Sequence, residues 1–141
     1  MSRLAAVPRA LLLDAQERDF KSGLEESRRV LAYTADMPSG RHNWAILEEN
    51  LGKPDLAEKQ YRQALAIDQQ FFMAQANLAV LLNRQGRNAE AEQLLKAALR
   101  VNPRSASVAF NLGLLLAEEG KTAEAETALR TALKADPQMA P

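Results

Sequence analysis

The sequence predicts an all-α fold, an array of helix–turn–helix repeats forming an α-solenoid. Three observations predict it. The chain matches itself at a shift of 34 residues. Apolar residues within each unit recur at helical spacing, and the period-two alternation of strands is absent. Glycine and proline stand at fixed places in each unit, where a helix has to stop.

The self-match is strongest between Phe72–Ser105 and Ala106–Met139 and needs no gap. Asn77-Leu78-Ala79 becomes Asn111-Leu112-Gly113, and Gly86 becomes Gly120. Ala89-Glu90-Ala91-Glu92 becomes Ala123-Glu124-Ala125-Glu126, and Asn102-Pro103 becomes Asp136-Pro137. One shift back, Pro38–Phe71 carries Asn43-Trp44-Ala45, Gly52, Ala57, Ala64-Leu65 and Asp68-Gln69 in the same slots. The predicted units are therefore 38–71, 72–105 and 106–139, with a tail at 140–141.

In the first helix of each unit, Trp44, Leu47, Glu48 and Leu51 stand at i, i+3, i+4 and i+7. The same face follows as Leu78, Leu81, Leu82, Gln85 and as Leu112, Leu115, Leu116, Glu119. Trp44 is expected in the core on that count. Gly52, Gly86 and Gly120 end this helix, where a left-handed residue is wanted. Asn88 and Thr122 are expected to cap the second helix, with Glu90 and Glu124 in its first turn. Its apolar face is Ala91, Leu95, Ala98, Leu99 and then Ala125, Leu129, Ala132, Leu133. Small residues at 45, 79 and 113, facing Ala57, Ala91 and Ala125, let the paired helices approach closely.

The small–Gly–Ala–Ala–Pro pattern at this period resembles the tetratricopeptide repeat. The resemblance implies a right-handed superhelical array whose first helices line a concave surface. Glu48 departs from it, standing where the family places a large residue, and Gln69 replaces the usual proline. A fourth, degenerate unit is expected over residues 1–37, as an N-terminal cap of two helices, Pro8–Gln16 and Phe20–Ala35. Eight helices result. In this unit Gly23 and Val30 fall in slots of small residues, Leu11 is large where a small residue belongs, and Arg18 replaces the turn glycine. A cover of this kind is needed because the stacking face of a terminal unit otherwise meets water.

At the other end no polar capping helix follows. The last helix is therefore expected to expose Leu129, Ala132 and Leu133. Truncation of a longer protein, self-association through that face, or tolerance of a small apolar patch each account for it.

Composition bounds the function. The 141 residues carry 18 Lys plus Arg and 18 Asp plus Glu, a balance without the basic excess of nucleic-acid binders. No apolar run reaches the length of a membrane span. No cysteine is present, which removes thiolate metal sites and thiol nucleophiles. With one histidine and no glycine-rich phosphate loop, the catalytic vocabulary is poor, and no enzyme, metal or cofactor is expected in this chain. His42 is expected on the groove or surface. The Glu90/Glu92 and Glu124/Glu126 stretches read as solvated helix faces.

The expected partner is a protein or peptide along the concave face. Candidate residues are His42, Asn43, Ile46, Asn50, Asn77, Val80, Arg84, Phe110, Asn111 and Leu114. An asparagine in one slot of all three units can donate to and accept from a peptide backbone at regular intervals, or merely fix the start of each helix. Ile46, Val80 and Leu114 form an apolar floor, and Phe110 an anchor. Charges on this face are mixed, His42 and Arg84 against Glu49 and Glu118. That differs from the basic clamp with which some family members hold acidic C-terminal tails. A second resemblance rests on Asp36-Met37-Pro38-Ser39-Gly40 followed by Asn43-Trp44-Ala45, and on the stretch Val7–Glu17. These are similar to the repeat tails of bacterial multihaem c-type cytochrome proteins. That likeness implies a periplasmic docking or assembly arm, whereas a freestanding chain implies a cytoplasmic adaptor.

Overall fold

The structure, a computed structural model, describes residues 9–139, with side chains described from residue 17. Seven α-helices follow one another: α1 (Arg9–Tyr33), α2 (Pro38–Asn50), α3 (Pro54–Ile67), α4 (Phe72–Arg84), α5 (Asn88–Val101), α6 (Ala106–Glu118) and α7 (Thr122–Ala135). A 3-10 turn at Pro137–Met139 ends the described chain, and no strand occurs among the described residues. The helices pair as hairpins, α2 with α3, α4 with α5 and α6 with α7. The hairpins stack through α3 on α4 and α5 on α6, and α4 also touches α6. This is an all-α repeat array.

Each hairpin turn has one cause. Gly52, Gly86 and Gly120 adopt φ of +70°, +78° and +76°. The residue after each glycine then donates its N–H back to the helix: Lys53 to Glu48 O, Arg87 to Leu82 O and Lys121 to Leu116 O, all 2.9 Å. These are Schellman closures, satisfying carbonyls that a helix end leaves open. The second helices stop at Asp68, Asn102 and Asp136. Where Gln69 replaces proline, Asp68 still turns the chain by accepting the Gln70 N–H at 3.0 Å. Asn88 and Thr122 are not caps, because both lie inside their helices, and Arg87 and Lys121 precede them. Ser105 is a cap, accepting from the Val108 N–H at 3.4 Å.

The core is built from the small residues and leucines of the repeat. Ala45, Ala57, Ala64, Leu78, Ala79, Leu82, Ala91 and Ala98 are fully buried. In the last hairpin the approach is close enough that a Cβ on Gly113 would lie 2.6 Å from the Leu129 side chain. Trp44 is half-buried, not core, and its Nε1–H donates to Glu48 at 3.2 Å.

The N-terminal expectation is corrected. In place of two helices, α1 runs unbroken for 25 residues, so the described residues form seven α-helices where eight are expected. Arg18 explains this: a residue with a Cβ resists the left-handed conformation that reverses the chain in the other units, whereas a helix accepts it readily. The expected start at Pro8, and the tail at 140–141, lie outside the described residues. The C-terminal expectation is corrected in part. Ala132 is buried, because α7 packs on α6 and the chain turns back at Pro137–Met139. Leu133 is exposed and Leu129 is half-buried against Gly113.

Candidate functional site

The ten candidate residues do not form one strip. The structure sorts them into an internal bridge, an α4–α6 groove and an N-terminal groove.

His42 is the clearest correction. It is 3% exposed, not a groove or surface residue. Its ring lies 5.8 Å from that of Tyr61 and 5.6 Å, edge-on, from that of Phe71. Asn77 Nδ2 sits 2.7 Å from His42 Nε2. An amide N–H can only donate, so this bond selects the neutral tautomer with Nε2 as acceptor. Burial pushes the imidazole below its ordinary range, partly offset by a hydrogen bond with Asn43 and the Glu49 charge. His42 and Asn77 thus tie the first clear unit to the second. The row of asparagines is not uniform: Asn43 is exposed, Asn77 is spent on His42 and Asn111 is half-buried. The slot of His42 recurs as Ala76 and Phe110. Among the described residues no later helix covers Phe110, which is 37% exposed.

The α4–α6 groove holds about 90 Å³. Val80, Asn83, Leu95, Asn111, Leu114 and Glu118 are among its walls. Leu114 is 44% exposed at its rim. Asn83 crosses from α4 to Glu118 of α6 at 3.2 Å. Arg84 is exposed, with a guanidinium nitrogen 3.8 Å from Glu49. Glu49 also accepts from the Tyr61 hydroxyl at 2.5 Å, which together with burial holds the phenol far above its usual range. Asn43, Ile46 and Asn50 line a separate groove between α1 and α2.

On the opposite helices lies a feature that sequence reasoning missed. Glu58, Arg62, Arg87 and Glu90 form a ring of ion pairs at 2.8–2.9 Å. Thirty-four residues on, Glu92, Lys96, Lys121 and Glu124 hold the same slots as a looser, open chain, with Glu92 2.7 Å from both lysines and Lys96 3.9 Å from Glu124. Glu90 and Glu92 are therefore stitching between units rather than solvated faces. The flanking lysines, Lys121 first and Lys96 next, hold the Glu92 carboxyl down to about 2. The same 34-residue shift that aligned the glycines aligns these charges, so the signal was present. Among the described residues no three His, Asp or Glu side chains gather as a metal site, and no helix is long and apolar enough to cross a membrane.

The family described as Tetratricopeptide repeat matches residues 42–100 and 84–140. No curated protein matches the chain. Among solved structures, MamA superposes with a TM-score of 0.75 at 18% identity, covering 89% of this chain and 73% of its own. A second MamA structure gives 0.71 at 14% identity, covering 84% and 64%. PilF of Pseudomonas aeruginosa gives 0.74 at 26% identity, covering 89% of this chain and 58% of its own. The chain thus spans under two thirds of the PilF structure. The MamA likeness shows the fold, and none of these matches carries the cytochrome resemblance.

Proposed function

Because the chain belongs to the tetratricopeptide repeat family, we propose that it is a non-catalytic protein-interaction module that holds a peptide or helix along α4 and α6. At the coarse level, an array of this family is a scaffold for protein partners. The finer reading rests on one observation, the apolar Val80 and Leu114 beside Asn83 and Asn111 in the α4–α6 groove, with Phe110 exposed on the same helix as Leu114. Apolar anchors supply most of the binding energy in such sites, and amides supply register along a backbone. Because Arg84 stands beside Glu49 and Glu118 lies across the groove from Asn83, the charge of this face is mixed rather than a basic clamp. An acidic C-terminal peptide should bind at millimolar strength or weaker.

A displayed peptide library selected on the purified chain tests this. Enriched peptides should lose about tenfold in affinity, equivalent to about 1.4 kcal/mol, on Phe110→Ala or Leu114→Asp. Arg130→Ala, on the exposed side of α7, should leave them unchanged. Peptides insensitive to both groove variants would overturn the reading.

A further inference from the structure

One contact between first helices is built twice, with different charge. Glu49 of α2 and Arg84 of α4 line a groove together with Leu81, and their charged groups lie 3.8 Å apart. Moved forward by 34 residues, Glu49, Leu81 and Arg84 become Asn83, Leu115 and Glu118. All three line the α4–α6 groove, and Asn83 and Glu118 meet there at 3.2 Å. The first contact sets a carboxylate against a guanidinium. The second sets an amide against a carboxylate, so it keeps a negative charge.

That charge is open to a partner. Glu118 is exposed and has no ion pair among the described residues. Its donor there is Asn83 Nδ2, which also donates to Asn88 at 3.0 Å. Both N–H bonds of the Asn83 amide are thereby used, which leaves its oxygen as an acceptor. Asn111, half-buried in the same groove, makes no side-chain hydrogen bond among the described residues. The groove therefore offers a carboxylate and amide oxygens, and what its counterpart has and it lacks is a cation.

The helix also sets a spacing. Leu114, 44% exposed, and Glu118 stand one turn apart on α6. At 1.5 Å rise per residue they are about 6 Å apart along the axis. An extended chain brings residues i and i+2 onto one face about 7 Å apart. A helix brings residues i and i+4 about 6 Å apart along its axis. Either backbone can lay an apolar side chain on Val80 and Leu114 while a basic one reaches Glu118. An acidic residue in that position meets like charge, which selects against it.

We propose that the protein segment held by the α4–α6 groove carries an arginine or lysine that pairs with Glu118, beside an apolar residue seated on Val80 and Leu114. This pairing rests on the peptide-binding reading of the groove and gives its partner a charge.

Peptides selected on the purified chain from a displayed random library should carry a basic residue at that spacing from the apolar residue that makes them sensitive to Leu114→Ala. Glu118→Gln should weaken them about threefold, and Glu118→Arg, which places in this slot the residue type of Arg84, about tenfold. Asn83→Arg gives Glu118 a cation from its own chain and should also weaken them about threefold. Replacing the peptide's basic residue by glutamate should cost about tenfold on the parent chain and restore binding to Glu118→Arg. Raised salt should shrink each difference. Peptides that depend on Leu114 but bind the parent and Glu118→Arg equally would overturn the basic partner and leave the groove reading standing. Leu114-dependent peptides with an acidic residue in that position would do the same. A selection in which no peptide responds to Leu114→Ala or Phe110→Ala would overturn the groove reading, and the Glu118 pairing with it.

Discussion

The α1–α2 junction and the α3–α4 junction hold the same place in successive units, yet different forces hold them. Around α3–α4, apolar packing between the two units is backed by the ion-pair ring of Glu58, Arg62, Arg87 and Glu90, which ties α3 to the start of α5, and by the His42–Asn77 bond, which ties α2 to α4. At α1–α2 the helices meet more sparsely, and the ring positions read Leu24, Arg28, Lys53 and Leu56. What remains is a half-exposed arginine reaching a buried carboxylate, Arg28 to Glu48 at 3.5 Å. A closed tether supplements it, with Arg41 Nε donating to Ala35 O at 2.6 Å and its NH1 to Gln60 at 2.9 Å. The contrast shows that one sequence period can carry strong and weak joints, decided by a few slots.

The largest expected effect separates the two joints by burial. Leu78→Ala, in the fully buried centre of α4, should cost about 2–5 kcal/mol in urea unfolding. Leu31→Ala, half-buried on α1, should cost roughly 1 kcal/mol, because the site is open and collapses easily. Equal losses would mean that α1 is as firmly docked as α4.

The second effect concerns the docking pair itself. Arg28→Ala leaves the Glu48 carboxylate buried with only Trp44 beside it, and should cost about 2 kcal/mol, discounted from a fully buried pair because Arg28 is partly in water. Glu48→Leu restores the residue type of Leu82 and Leu116 in that slot and should be neutral or stabilising. Thermal unfolding of the two variants, compared with the parent, should therefore move Tm in different directions or leave Glu48→Leu unmoved. A loss on Glu48→Leu would show that the ion pair is a net stabiliser.

These slots also mark what the sequence made legible. The three clear units, their turn glycines and their alanine cores follow from period and sterics, because each slot has one solution that repeats. The α1 helix did not, because helix continuity at Arg18 depends on the absence of a residue rather than on a motif. Glu48 looked like a defect in its own unit, since its partner Arg28 lies twenty residues upstream with no period to flag it. The sequence puts His42 on the groove because its helix face points there, whereas Tyr61 and Phe71 of its own unit and Asn77 of the next close over the ring. Ala132 is expected to be exposed for lack of a further unit against it, although packing on α6 and the turn at Pro137–Met139 cover so small a side chain. Side chains closed by contacts from outside their own helix are the class that single-helix periodicity misplaces.

A smaller effect tests the stitching at α5–α7. The Glu92 carboxyl is lowered from 4.5 to about 2 by its lysines, so the folded state favours its ionised form. A depressed carboxylate contributes stability that is present above the unfolded value, 4.5, and is lost as pH falls toward about 2. Glu92→Gln should cost about 1 kcal/mol at neutral pH, a magnitude set by solvent screening of the lysines, and should flatten that part of the acid titration. High salt should shrink the difference. A variant with an unchanged acid slope would assign the acid sensitivity to Glu58 and Glu90, which the Arg62 and Arg87 guanidinium groups also hold low.

The smallest effect has the same sign on the pH axis but sits in a different window, and it reports on the stronger joint alone. Burial lowers the His42 imidazole below 6.5, so the unfolded chain takes up a proton more readily than the folded one. Stability is therefore full above 6.5 and declines as pH falls below it. Protonation also destroys the acceptor at Nε2, turning the 2.7 Å contact with the Asn77 amide into donor against donor. Taking the protein from about pH 7.5 to about pH 5.5 should lower Tm, and His42→Gln, which keeps a polar acceptor without a proton to gain, should abolish the change. Asn77→Ala should weaken the joint at both pH values, because the buried ring then lacks its donor. If Tm rises on acidification, the imidazole is charged in the folded state, and the His42–Asn77 bridge runs in the opposite sense, with the ring donating to the amide oxygen.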